Sequence, residues 1–107
     1  MKAWEIWSYQ PEGWPEPHPA VIISGSQRVA NKPDLNVLLC TSQRANRAPL
    51  RNEVILDQAD GLEWQSLCKC DLIHLVTREE LSHHRGTVTA ERRRQIIAAM
   101  IVSNEWV

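Results

Sequence analysis

Apolar and polar positions fall into short blocks along this chain, and turn-forming residues separate the blocks. Ala3-Trp4-Glu5-Ile6-Trp7-Ser8-Tyr9 is rich in β-formers and reads as a strand. Gln10 to Pro19 carries Pro11, Pro15, Pro17 and Pro19 around Gly13, which forbids helix and removes backbone donors, so it reads as an extended loop. Ala20-Val21-Ile22-Ile23 is a short continuous apolar strand, and residues 25 to 35 read as a polar connection. Asn36-Val37-Leu38-Leu39-Cys40-Thr41 is a third strand, and Arg51-Asn52-Glu53-Val54-Ile55-Leu56 a fourth. Asp57 to Gly61 is turn-like, with Gly61 suited to a positive φ.

Ser66 to Val76 reads as one long strand or two joined at a bend. Period two puts Cys68, Cys70 and Leu72 on one apolar face, with Lys69 and Asp71 together on the other. Thr77 and Glu80 have capping-box spacing and start one helical turn. Gly86-Thr87-Val88 reads as a last short strand. Thr89 to Val102 is a helix: Thr89 caps it, Glu91 suits its positive end, and Ile96, Ile97, Met100 and Ile101 form its apolar stripe. Arg92, Arg93 and Arg94 read as a solvated face. Many short strands and one C-terminal helix predict a mainly β fold, a small and mostly antiparallel barrel.

Size and composition narrow this picture. At 107 residues the natural expectation is a single domain spanning 1–107. No apolar run approaches the roughly 20 residues of a membrane span, and the N-terminus lacks a signal peptide's apolar region. A cytoplasmic protein without membrane association is expected. A net charge of −1 gives no global attraction for nucleic acid, so any such contact must be local. An odd number of cysteines, three, argues against a disulfide framework, and Cys68-Lys69-Cys70 lacks a second ligand pair for zinc. Buried reduced thiols and no metal are expected.

Four features could carry chemistry. His18 closes the proline-rich loop just before an apolar strand, and an imidazole can exchange protons near neutral pH. Thr41-Ser42-Gln43 places three hydrogen-bonding side chains at a strand's exit, suited to phosphate contact or to turn formation. Arg44, Arg47 and Arg51 make a local positive patch, since guanidinium binds phosphate bidentately. Lys69 with Asp71 shapes either an anion site or a surface ion pair. His74 is a weaker candidate, and His83-His84-Arg85 reads as an exposed turn.

Taken in order, these pieces resemble the PemK/MazF-like toxins of type II toxin–antitoxin systems over nearly the whole chain. Ala3–Trp7 is similar to that family's first strand. Pro17-His18-Pro19-Ala20-Val21-Ile22-Ile23-Ser24 is similar to its Arg-Pro-Ala-Val element, and Leu39-Cys40-Thr41-Ser42-Gln43 to its Thr-Ser-Gln segment. Glu53–Leu56, Gly61-Leu62, Ser66–Asp71, Leu81, Gly86-Thr87-Val88 and the final helix follow in order.

The resemblance implies a compact SH3-like barrel with a C-terminal helix, usually a homodimer. It also implies a metal-independent, cofactor-free endoribonuclease that cuts single-stranded RNA, mRNA included, with the ribose 2′-hydroxyl as nucleophile and a 2′,3′-cyclic phosphate as product. Thr41 then matches the residue that contacts the scissile phosphate, and Asp71 a carboxylate used as base by some members. Lys69 stands where those members have arginine, and His18 where the family has the arginine before Pro-Ala-Val. Ser42, Gln43, Arg44, Arg47 and Arg51 would bind RNA. The two cationic departures leave two outcomes: a weak or inactive nuclease, or rearranged chemistry with His18 as acid, Asp71 as base and Lys69 as stabiliser.

The implied partner is an antitoxin in trans, since no acidic disordered tail is visible in the chain. Two alternatives stay open: a non-catalytic binding module on the same barrel, and a gyrase-targeting toxin.

Overall fold

Each predicted strand joins a single antiparallel sheet. The computed structural model describes residues 1–42 and 47–107. Within these, the strands are β1 (Glu5–Tyr9), β2 (His18–Ile22), β3 (Asp34–Ser42), β4 (Glu53–Leu56), β5 (Ser66–Thr77) and β6 (Leu81–Thr87). The helices are α1 (Ser26–Asn31) and α2 (Ala90–Ser103). The sheet order is β4-β5-β3-β2-β1-β6, and every neighbouring pair is antiparallel. The expected mainly β fold with a C-terminal helix is therefore present.

Strand alternation gives the sheet two apolar faces. Ile6, Val21, Leu38, Cys40, Val54 and Cys68 pack with Ile96 and Met100 of α2. Ala20, Ile22, Leu35, Val37, Leu39 and Val76 pack with Val29 of α1. All three cysteines are buried and free. Only part of the predicted stripe on α2 is covered: Ile96 is fully buried, whereas Ile97 is 43% exposed. Thr89 caps α2 as expected, its hydroxyl accepting from the Arg92 amide at 3.2 Å.

Several boundaries differ from the sequence reading. The polar connection of residues 25 to 35 holds α1, which buries only Val29 and has Gly25 as N-cap with no side-chain cap, so neither periodicity nor capping announces it. His18 and Pro19 belong to β2 rather than to the loop. The last strand begins at Leu81, so His83 and His84 lie within β6 and not in a turn. Thr77 and Glu80 do form a capping box, on a single 3-10 turn. Arg92 is not part of a solvated face: it donates to the Ile55 carbonyl, sits 3.0 Å from an Asp57 carboxylate oxygen and pairs with buried Asp60. Arg93 lies over the Trp4 ring at 5.4 Å.

β5 bends sharply. Its pairing with β3 jumps from Cys68 opposite Cys40 to Ile73 opposite Leu38, so Lys69 to Leu72 stand against Leu39 alone. Such a bulge resets which face each side chain takes. Cys68 and Cys70 stay fully buried, but Leu72 is 57% exposed, which overturns its expected place on the cysteine face. The backbone of Cys70 is satisfied across the bend: its amide donates to Asn52 O at 2.8 Å, and Asn104 Nδ2 donates to its carbonyl at 3.2 Å.

The far end of β6 closes against the 57–61 turn. Gly61 has φ +91°, as a left-handed position requires. A Cβ added to Gly86 would lie 2.0 Å from the Asp60 carbonyl oxygen, a backbone atom that cannot swing aside. Gly86→Ala is therefore expected to destabilise the fold by about 2 kcal/mol or more, read as a lower urea midpoint. An unchanged midpoint would mean that this crossing is loose.

Candidate functional site

One lateral row of side chains crosses the whole sheet on the α1 side. Ile55 of β4 pairs with Leu67 of β5, and Leu67 with Thr41 of β3. Ala20 opposite Leu39 fixes the β2–β3 register, and two residues further on it sets His18 level with Thr41. His18 in turn pairs with Tyr9, and Tyr9 with Leu81. Thr41 and His18, which stand 23 positions apart in sequence, thus become neighbours on one face because β2 and β3 are antiparallel partners.

His18 is oriented from two sides. Its Nδ1 lies 3.2 Å from the Cys40 carbonyl oxygen. A carbonyl only accepts, so Nδ1 carries the proton and Nε2 is left for chemistry. Trp14 packs on the imidazole in a T-shaped contact with ring centroids 4.6 Å apart, which places the proline-rich loop against it. Beyond Thr41, the Ser42 hydroxyl accepts from the Trp64 indole at 3.2 Å.

Lys69 and Asp71 do not form a pair with each other. Lys69 lies opposite Glu53 in the β4–β5 register and bonds its carboxylate. Arg47 grips the same carboxylate through both nitrogens, at 2.8 and 3.0 Å, and the Leu50 amide donates to it at 2.8 Å. The Glu53 side chain is fully buried. The Arg47 guanidinium, with Lys69 and the Leu50 amide, outweighs burial and holds the Glu53 carboxyl down at about 2. Two cations on one carboxylate leave this cluster with one net positive charge, two residues along β5 from Leu67. Asp71 instead accepts from Asn52 Nδ2 at 2.9 Å and is exposed.

Arg47 and Arg51 of the arginine patch are held by different partners. Arg47 is bound to Glu53, and Arg51 donates to the Val102 carbonyl at the end of α2 at 3.3 Å. Gln43 and Arg44 lie outside the described residues. Sequence reasoning missed Glu53, although a carboxylate among arginines at the start of an apolar strand was a usable sign. It also missed Trp14 and Trp64, which nothing local distinguishes from core tryptophans. Among the described residues no three His, Cys, Asp or Glu side chains converge as a metal site, and no helix is long and apolar enough to cross a membrane.

A family model described as the PemK-like, MazF-like toxin of type II toxin–antitoxin systems matches residues 2–103. The chain belongs to this family. No curated protein matches it by sequence. Among solved structures, it is similar to an endoribonuclease in complex with its cognate antitoxin from a mycobacterial species, with 18% identity, TM-score 0.84, and coverage of 100% of this chain and 97% of that one. It is also similar to the Mycobacterium tuberculosis toxin MazF-mt6, with 19% identity, TM-score 0.80, and coverage of 94% and 96%. The Deinococcus radiodurans MazE–MazF structure is a third, with 16% identity, TM-score 0.73, and coverage of 95% and 92%. At these identities the structural likeness is one of fold. It agrees with the PemK/MazF-like sheet and C-terminal helix described above.

Proposed function

We propose that this PemK/MazF-like protein is an endoribonuclease that cuts single-stranded RNA without a metal, as the toxin of a toxin–antitoxin pair. The observation that carries the reading is the placement of His18 beside Thr41 on one sheet face, with the His18 tautomer set by the Cys40 carbonyl. The 2′-hydroxyl attacks the adjacent phosphorus, its proton is removed, and the 5′-oxygen leaves with a proton, giving a 2′,3′-cyclic phosphate. That step requires a proton acceptor, a proton donor and stabilisation of the charge growing on the non-bridging oxygens.

Thr41 supplies a hydroxyl to the phosphate, and His18 Nε2 exchanges the proton. The net positive charge of the Arg47–Glu53–Lys69 cluster favours the phosphate electrostatically, while Lys69 itself is held by Glu53. Asp71 serves as the second proton-transfer group, its carboxylate oriented by Asn52. Ser42, Gln43, Arg44 and Arg51 are proposed to bind RNA, Gln43 and Arg44 on the strength of the family resemblance alone. The active form is a cytoplasmic homodimer, and the partner is an antitoxin supplied in trans.

The test is incubation of purified protein with single-stranded RNA in excess chelator, followed by end-group analysis of the fragments. The expected result is cleavage with 2′,3′-cyclic phosphate ends. Intact RNA from folded protein, with induced expression causing no growth arrest, would support a binding module on the same fold instead.

A further inference from the structure

A second feature lies outside the row that holds Thr41 and His18. β6 pairs with β1 through Ser82 opposite Ser8, His84 opposite Trp7 and Gly86 opposite Ile6. His83 and Arg85 are therefore each an extra residue, two bulges in immediate succession. His83 adopts φ +54°, a left-handed conformation that is uncommon for a side-chain-bearing residue and clusters at functional sites. Bulges re-aim side chains beside binding sites.

Both bulged residues line a cleft of about 690 Å³, together with Glu16 and Pro17 of the β1–β2 loop and with Gly61, Glu63 and Trp64. His84, between the bulges, is occupied: it stacks on Trp7 at 5.3 Å and donates to the Gly86 carbonyl at 2.9 Å. Neither His83 nor Arg85 has a hydrogen-bond or ion-pair partner among the described residues. Trp64 is 53% exposed, yet its indole nitrogen is tied to Ser42, the residue after Thr41. Pro17, the residue before His18, lines the same cleft. Ser42 and Pro17 are sequence neighbours of Thr41 and His18, so the cleft opens at the same end of β2 and β3 as the row, on the α2-side face where Ser8 lines it.

We propose that this cleft is a nucleotide subsite for the RNA strand flanking the cut, in which Trp64 stacks a base while Arg85 and His83 hold its phosphate. The proposal rests on the ribonuclease reading and adds where one neighbouring nucleotide is gripped. An exposed indole anchored at its polar end offers a flat apolar surface of the kind unpaired bases stack upon. Guanidinium and imidazole donors match phosphate oxygens. Glu16 and Glu63 line the same cleft, where their carboxylates would face the base edge rather than the phosphate. A carboxylate only accepts, and guanine alone presents two adjacent N–H donors on its Watson–Crick edge, so this subsite favours guanine.

The experiment is to map cut sites in total RNA with the wild-type protein and then to measure steady-state cleavage of an oligonucleotide containing the preferred site. Trp64→Ala is expected to raise KM by about 10- to 100-fold with kcat little changed. Arg85→Ala is expected to flatten the salt dependence of binding, by a slope of about 0.7 for one lost phosphate contact, and Arg85→Lys to restore it. His83→Gly keeps the left-handed backbone while removing the imidazole, and should raise KM without lowering thermal stability. Glu63→Gln should loosen a guanine preference at one position of the cut-site pattern.

A wild-type protein that cleaves RNA, with variants unaltered in KM, salt slope and pattern, overturns the subsite alone and leaves the cleft for a protein partner. A folded wild-type protein that leaves RNA intact overturns the ribonuclease reading and the subsite with it.

Discussion

Replacing His18 by alanine is expected to slow RNA cleavage by about 100- to 1,000-fold, the loss typical when a group acting on the transition state is removed. The side chain is half-buried at the start of β2 and holds no ion pair among the described residues, so the fold should survive and the thermal midpoint should move little. His18→Asn sharpens the test, because its amide can still donate toward the Cys40 carbonyl but cannot exchange a proton. If the imidazole transfers the proton, the asparagine variant falls as far as the alanine variant. Rates within tenfold of wild type in the asparagine variant would make His18 a positioning residue and shift the proton transfer elsewhere.

The second large effect falls on stability. Glu53 is buried, and it receives Arg47, Lys69 and the Leu50 amide together. Glu53→Ala removes all of these at once and is expected to cost about 3 kcal/mol. Glu53→Gln keeps the shape and the Leu50 bond and should cost less. The sign of the pH dependence follows from the lowered carboxyl. Its folded-state value is about 2 against an ordinary 4.5. Glu53 therefore contributes its full stabilisation above pH 4.5 and loses it as the pH falls from 4.5 toward about 2. Urea unfolding at pH 7 and pH 3 should show a drop in the wild type of about 2 kcal/mol from this group, absent in Glu53→Gln. Equal acid sensitivity in both proteins would assign the loss to other carboxylates.

Where one physical rule dominates, the sequence is enough. Apolar blocks between turn residues identify β1 to β5, Thr89 announces α2, and Gly61 reveals its positive φ. What stays hidden depends on pairings between distant strands. The bend in β5 follows from its partners on β3 and β4, so Leu72 reads as buried by alternation and is exposed in fact. Lys69 and Asp71 look like a pair because they share a strand face, but Glu53 and Asn52 take one each from β4 and the residue just before it. Arg51 lies among the other arginines in sequence and at the end of α2 in space. The double bulge in β6 cannot be read from His83-His84-Arg85 itself, since it exists only as a mismatch of length against β1.

The hydrogen bond from His18 to Cys40 ends on a main-chain oxygen. The tautomer of the His18 ring is therefore written in strand register and not in any partner's side chain. Substitutions at Cys40 that preserve packing leave it untouched. A one-residue slip of β2 along β3 would turn His18 to the opposite side of the sheet and erase it. Selection for this chemistry would then act on how the two strands align, and would show as constraint on the apolar residues that lock that alignment: Ala20, Val21, Leu38 and Leu39.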